Sequence, residues 1–184
     1  MPQRAPTRTD AVSLAWGLAE ATFFFIVPDV LLSRVVLRGW KGCLRATAAA
    51  IVGALIGGAI MFGWGAANPT QAMRFVDHVP AISTAMVDNA GARLETDGWP
   101  AFFTGAAAGV PYKVYAVHAG RLRVSFIQFM IASALARAAR FLIVCGLASL
   151  IANTLKRLSL PAKYRIHAAC WVLFYAWYFW KMSN

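Results

Sequence analysis

The chain has 184 residues, of which 60% are hydrophobic and 13% aromatic, and it carries 18 Lys and Arg against 7 Asp and Glu, for a formal net charge of +11. This apolar content exceeds the roughly 45–50% of soluble domains, which argues against a soluble protein and predicts one integral membrane domain over residues 1–184. Most basic residues lie in short loops beside apolar runs, outside any nucleic-acid-binding motif, so nucleic acid is not an expected partner.

The first apolar segment, residues 11–33, is interrupted by Glu20, Pro28 and Asp29. Proline removes a backbone donor and disfavours helix at the residue before it, so the segment is expected to break near Pro28. The following loop, 34–45, has four basic and no acidic residues. Both this loop and the basic N-terminal tail favour the cytoplasm, and the sequence therefore predicts a tail over 1–10 and a re-entrant element over 11–37 that returns to the same face.

Residues 46–67 contain no charge and are long enough to cross a bilayer core of roughly 30 Å as a helix. This is the clearest span, and its glycines predict close approach of neighbouring helices: Gly53, Gly57, Gly58 and Gly63. Residues 68–97 carry four acidic residues and predict an extramembrane loop on the outer face, partly an amphipathic helix.

The second interrupted segment, residues 98–120, has Pro111 shortly before Lys113 and predicts a re-entrant element that enters from the opposite face. Further spans are expected over 124–152 and 164–180, with the basic loop 153–165 cytoplasmic and the C-terminus outside. Arg121 and Arg123 would lie on the outer face in this topology, against the tendency of basic residues to remain in the cytoplasm. The predicted fold is all-α, with two opposed re-entrant helical hairpins and about three transmembrane helices.

Within the predicted membrane segments, five charged residues are the candidates for a functional site: Glu20, Asp29, Lys113, Arg137 and Arg140. A charge at the bilayer centre costs about 2.5–3.5 kcal/mol on insertion scales, which predicts that these residues bind a substrate or protons. Two alternatives remain open, namely that Asp29 caps the next helix and that the arginines pair with the carboxylates only to hold the bundle together. In either case Glu20 should lie near one of the three cations.

The remaining polar residues point to no catalytic or metal site. Cys43, Cys145 and Cys170 show no metal-ligand or disulfide spacing, and His118 and His167 are expected to pack or lie at an interface. No metal, cofactor or catalytic residue is predicted, and an enzyme is the least favoured class because no nucleophile–base pair accompanies the charges. The N-terminal segment is expected to be retained, because Glu20 interrupts its apolar part.

The chain resembles the DedA family, also called the VTT or SNARE-associated Golgi superfamily, and within it the small YqaA-like branch. One residue and three stretches carry the resemblance: Glu20, FFFIVPD at 23–29, GAAAGVPYKVYAVHAG at 105–120 and ALARAARFLIV at 134–144. The resemblance covers about residues 11–152. It implies two facing re-entrant hairpins, functional acidic residues in the first, and basic residues in the second and in the helix that follows. Lys113 stands where larger members usually have an arginine, and its ammonium lacks the planar donor geometry of a guanidinium.

The resemblance implies a multi-pass protein of the bacterial inner membrane that translocates a lipid or lipid phosphate, such as a polyprenyl phosphate or a phospholipid, with possible coupling to protons. A proton- or cation-coupled transporter of a small solute and a non-transporting assembly protein are the alternatives. The sequence leaves open whether several copies form a homo-oligomer.

Overall fold

In the computed structural model, which describes residues 7–80 and 82–183, the chain forms helices and no strand within the described residues. The all-α prediction is therefore confirmed for this part of the chain. In chain order the helices are α1 (Arg8–Thr22), α2 (Asp29–Val36), α3 (Trp40–Ala67), α4 (Pro69–Asp77), α5 (Thr84–Asp97), α6 (Ala101–Ala107), α7 (Tyr112–Arg121), α8 (Phe126–Thr154) and α9 (Leu160–Ser183). Of the predicted tail 1–10, residues 1–6 lie outside the described residues.

The first interrupted segment is a pair of helices. α1 begins with a capping box, in which the Thr7 hydroxyl accepts from the Asp10 amide and the Asp10 carboxylate accepts from the Thr7 amide. The helix ends at Thr22, and α2 begins directly after Pro28. The predicted break is confirmed.

The second interrupted segment is also a pair, α6 and α7. The chain turns at Gly109, which has a φ of 79° that a residue with a Cβ rarely adopts. Pro111 then precedes the first turn of α7. A backbone N–H at this position has no partner within the helix, so its absence in proline costs no helical hydrogen bond. The break at Pro111 is confirmed.

α3 is the helix against which both pairs pack. Leu14 lies against Gly53 and Leu18 against Gly57, so α1 runs parallel to the middle of α3. Tyr112 lies against Gly58 and Val117 against Gly65, so α7 runs parallel to its C-terminal part. These helices approach so closely that a Cβ on Gly53 would overlap the Leu14 carbonyl oxygen. The expected close contact is confirmed at Gly53, Gly57 and Gly58, whereas Gly63 faces open space.

Two helices of the described chain, α3 and α8, are long and apolar enough to cross a membrane. α9 has 24 residues but is not among them. The predicted outer loop 68–97 contains two helices, α4 and α5, rather than one.

The two helix breaks meet inside the molecule. The Nζ atom of Lys113, at the start of α7, donates a hydrogen bond of 2.8 Å to the carbonyl oxygen of Phe24, in the break between α1 and α2. Since α1 and α7 lie along successive parts of α3, this contact places both breaks beside its middle. The charged residues gather there.

Candidate functional site

Two ion pairs join the first helix pair to α8, one of them buried on both sides and the other with a partly exposed arginine. Arg137 Nη2 lies 2.7 Å from Glu20 Oε2, and Arg140 donates from Nε at 2.9 Å and from Nη2 at 2.8 Å, both to Asp29 Oδ2. Glu20, Asp29 and Arg137 are 5%, 1% and 7% exposed. The expectation that Glu20 lies beside a cation is confirmed.

The helix geometry explains why each carboxylate has its own arginine. Glu20 is in the last turn of α1 and Asp29 in the first turn of α2, so the break between them separates the two carboxylates. Arg137 and Arg140 are three residues apart on one face of α8, which spaces the guanidinium groups along that face. Asp29 makes no side-chain capping hydrogen bond to α2, and the alternative that it serves as a helix cap is therefore wrong.

Lys113 belongs to the same charged group but has a different partner. Its side chain is fully buried, and its ammonium donates to the Phe24 carbonyl oxygen. Burial of an ammonium is costly unless its donors are used, and this carbonyl supplies one acceptor. Lys113 therefore holds the two helix breaks together. Three cations and two carboxylates meet here, which leaves one formal positive charge in excess.

A cavity of about 220 Å³ adjoins the ion pairs. Glu20, Asp29, Arg137 and Arg140 all line it, whereas Lys113 does not. Half of the remaining lining residues are aromatic, from the first break, α6, α7, α8 and α9: Phe25, Phe102, Tyr112, Tyr115, Phe141, Trp171, Phe174, Tyr175 and Tyr178. The cavity thus combines an apolar wall with charged groups at one place, which is the composition of a ligand pocket.

Several polar atoms of the cavity lining have no hydrogen-bond partner in the described part of the chain, among them Asp29 Oδ1, Arg137 Nε and the Tyr115 hydroxyl. Arg137 also lies over the Tyr112 ring, with its Cζ 4.1 Å from the ring centroid. Unpaired buried polar groups are costly, so a ligand that offers both an acceptor and a donor would be held here. An anion suits the Arg137 donor, and a proton suits the Asp29 oxygen.

The aromatic wall and its supports were not predicted as part of the site. The sequence predicted only a membrane span over residues 164–180, because the aromatic residues of α9 carry no positional signal for a cavity. The Tyr175 hydroxyl accepts from the Val27 amide at 3.1 Å, which attaches α9 to the first break. Tyr112 had one available signal, its position between Pro111 and Lys113.

Ser33 and His167 form a contact that the sequence did not predict. Ser33 Oγ lies 2.8 Å from His167 Nε2, and Trp171 Nε1 donates to both, at 3.2 and 3.1 Å. The pair has the elements of a nucleophile and a base, but Ser33 is 3% exposed and Trp171 occupies the acceptor nitrogen. These three residues attach α2 to α9. His118 is buried and hydrogen-bonded to the Val87 carbonyl oxygen at 2.9 Å, as a packing residue would be.

Sequence comparison relates this chain to a bacterial protein. A protein of Haemophilus influenzae described only as "Uncharacterized protein" is 31% identical over 138 residues, which cover 71% of this chain and 67% of the relative. No family model and no solved structure matches the chain.

Proposed function

We propose that this chain, which belongs to the same family as the Haemophilus influenzae protein, is a membrane transporter rather than an enzyme. Its proposed substrate is a lipid or lipid phosphate, such as a polyprenyl phosphate or a phospholipid, and transport is coupled to protons. This is the activity that the resemblance to the DedA family implies.

The observation that carries the proposal is the charged group beside the aromatic cavity. The two arginines of the cavity lining are balanced by the two carboxylates, and Lys113, behind the lining, adds a third positive charge that interacts with Glu20 and Arg137, so the group as a whole attracts an anionic head group. Arg137 lines the cavity and keeps its Nε donor without a partner in the described chain. A guanidinium suits phosphate because its planar donors match the phosphate oxygens.

Proton coupling rests on the two carboxylates. Asp29 is 1% exposed, yet its Oδ1 atom has no hydrogen-bond partner among the described residues, while Oδ2 holds Arg140. A carboxylate oxygen in this position accepts a proton when the neighbouring arginine turns to a substrate phosphate. Glu20 Oε2 pairs with Arg137 as Asp29 Oδ2 pairs with Arg140.

The proposed setting is the bacterial inner membrane. α3 and α8 are the spans that the composition supports, and α9 is proposed as a third. The two broken pairs, α1 with α2 and α6 with α7, are proposed to dip into the membrane from opposite faces. α1 leads into the first break and α7 leads out of the second, the two helices run parallel, and the breaks meet at Lys113 and Phe24. Non-helical backbone at that depth is tolerated where protein or a polar cavity satisfies it.

A translocation assay tests the proposal. Purified protein is reconstituted into liposomes with a fluorescent polyprenyl phosphate or phospholipid, with and without a pH gradient, and the rate is divided by the amount of folded protein. We expect Glu20→Gln and Asp29→Asn to slow translocation strongly, because each removes a titratable carboxylate but keeps its shape. Asp88→Asn removes an exposed carboxylate of α5 and is the matched control. Full activity of Glu20→Gln at a normal protein level would contradict proton coupling by this residue.

A small anionic solute is the second candidate substrate. The cavity of about 220 Å³ holds a head group or a small anion but not a whole lipid. Uptake of such a solute by the same liposomes, without movement of the fluorescent lipid, would favour this alternative.

A further inference from the structure

Two cysteines that are far apart in the sequence meet in the interior, away from the ion pairs. The Sγ atoms of Cys43 in α3 and Cys145 in α8 lie 2.9 Å apart, and both side chains are fully buried. They belong to a small apolar cluster formed by α2, α3 and α8: Leu32, Val36, Cys43, Ala46, Ala50, Phe141 and Cys145. The third cysteine, Cys170, is exposed on α9.

The surroundings of this pair favour sulfur–sulfur chemistry over metal binding. No group of three or more potential metal ligands occurs among the described residues, and the pair is surrounded by apolar side chains. The other groups that contact Cys43 Sγ are the Leu32 carbonyl oxygen at 3.8 Å and the Thr47 hydroxyl at 3.9 Å, which are weak partners for a thiol. Both cysteines are free thiols in the structure.

We propose that Cys43 and Cys145 are a reversible modification site, at which a hydroperoxide oxidises the two thiols to a disulfide that links α3 to α8. One cysteine sulfur attacks the terminal oxygen of the hydroperoxide and becomes a sulfenic acid, and the alcohol or, from hydrogen peroxide, water leaves. The second sulfur then displaces the sulfenic hydroxyl group, the sulfur–sulfur bond forms, and water leaves. Two thiol protons and two electrons pass to one hydroperoxide, and a dithiol reductant reverses the reaction.

The cavity offers a route for the oxidant. Val144, the residue before Cys145, lines the cavity, and Phe141 both lines it and packs in the cysteine cluster. A small uncharged hydroperoxide in the cavity therefore lies one side-chain layer from the thiols. The thiols remain reduced under ordinary cytosolic conditions, since the cytosolic thiol pool keeps cysteines reduced.

A disulfide here would act on the helix that carries the arginines. Cys145 follows Arg140 by five residues on α8, about one and a half turns. Phe141, next to Arg140, packs in the same cluster as both cysteines. The covalent link fixes α8 against α3 at this level, and, if the transport proposed above requires α8 to move, oxidation stops it.

Thiol counting tests the site directly, without any transport assay. The full chain carrying Cys170→Ser is reconstituted in lipid and treated with hydrogen peroxide or cumene hydroperoxide. Free thiols are then counted with a maleimide polymer after denaturation, and peptide mass spectrometry identifies the link. We expect both remaining thiols to disappear, a peptide joining residues 43 and 145 to form, and a dithiol reductant to restore both thiols.

Variants and the wild-type chain supply the controls. Cys43→Ser and Cys145→Ser, each combined with Cys170→Ser, should keep a single thiol and form no intramolecular link. In the wild-type chain Cys170 reports that the oxidant has reached the protein. The proposal is overturned if Cys43 and Cys145 both remain free when Cys170 is fully oxidised, or if oxidation produces only sulfinic or sulfonic acids without a link. A link without any effect on transport would leave the modification site intact and remove its proposed effect on α8.

Discussion

Lys113 donates a hydrogen bond of 2.8 Å to the carbonyl oxygen of Phe24, across 89 residues of sequence. The contact joins the start of α7 to the break that follows α1, and both atoms belong to parts of the chain where a proline interrupts an apolar segment. Because the helix is broken here, the Phe24 carbonyl has no partner within a helix. The buried ammonium of Lys113 supplies the missing donor.

Removal of this ammonium should destabilise the protein. We expect Lys113→Met, which keeps the length of the side chain, to lower the free energy of unfolding by about 1.5–3 kcal/mol, because a hydrogen bond from a charged group is lost and the Phe24 carbonyl loses its donor. Lys163→Met is the matched control, since Lys163 also donates to a backbone carbonyl, that of Ala152, from a less buried position. Thermal unfolding in detergent compares the two. Equal stability of Lys113→Met and the wild type would refute the structural role.

The Glu20–Arg137 pair should behave as a coupled unit. Glu20→Gln leaves a buried guanidinium without its counter-charge, and loss of one partner of a buried pair typically costs about 3–5 kcal/mol. The double variant Glu20→Gln/Arg137→Gln removes both charges and should be less destabilised than the sum of the single variants. A double-mutant cycle of thermal stability measures this difference. Additive effects would show that the two side chains do not interact in solution.

Two glycines of α3 should respond to alanine in opposite ways. A Cβ on Gly53 would overlap the backbone of α1, so Gly53→Ala should force α1 and α3 apart and lower stability. Gly63 has open space around the same position, and Gly63→Ala should be neutral or stabilising by up to about 1 kcal/mol, because alanine favours helix. Melting temperatures in detergent distinguish the two. A destabilising Gly63→Ala would contradict the packing of α3.

The capping box of α1 should add a pH-dependent contribution to stability. The hydrogen bond from the Thr7 backbone amide, with smaller contributions from the Thr7 hydroxyl and Arg45, lowers the pKa of Asp10 below its ordinary value of 3.8. A carboxyl whose pKa is lower in the folded state stabilises the fold above its unfolded pKa, and this contribution is lost as the pH falls through the folded pKa.

Asp10→Asn should therefore be less stable than the wild type at neutral pH, and the difference should shrink as the pH falls through and below 3.8. Thermal unfolding over this pH range measures the difference. A difference that stays constant down to the lowest pH would show that the Asp10 charge does not contribute.

Membrane topology can be checked by cysteine labelling in a variant without native cysteines. We expect Lys41→Cys, in the first turn of α3, to react from the cytoplasmic face and Asn89→Cys, on α5, to react from the outer face, since basic segments remain in the cytoplasm. Both positions are exposed in the structure. Labelling of Lys41→Cys from the outer face alone would reject the proposed arrangement of the first helix pair.

The features that the sequence predicted are local ones. The breaks at Pro28 and Pro111 follow from the missing proline donor, and the two long apolar helices follow from composition over some twenty residues. The cost of an isolated charge in an apolar environment also predicted that Glu20 would lie beside a cation.

Only the tertiary structure decided which groups meet. Arg137 reaches Glu20 across 117 residues, and Arg140 reaches Asp29 across 111, because α2 packs against α8 and the C-terminal end of α1 lies near the same face. The side of a helix that faces a neighbour depends on how that neighbour is rotated and shifted along it, and no local pattern carries this information. For the same reason the Phe24 partner of Lys113, the aromatic wall of α9 and the meeting of Cys43 with Cys145 became visible only in the folded chain.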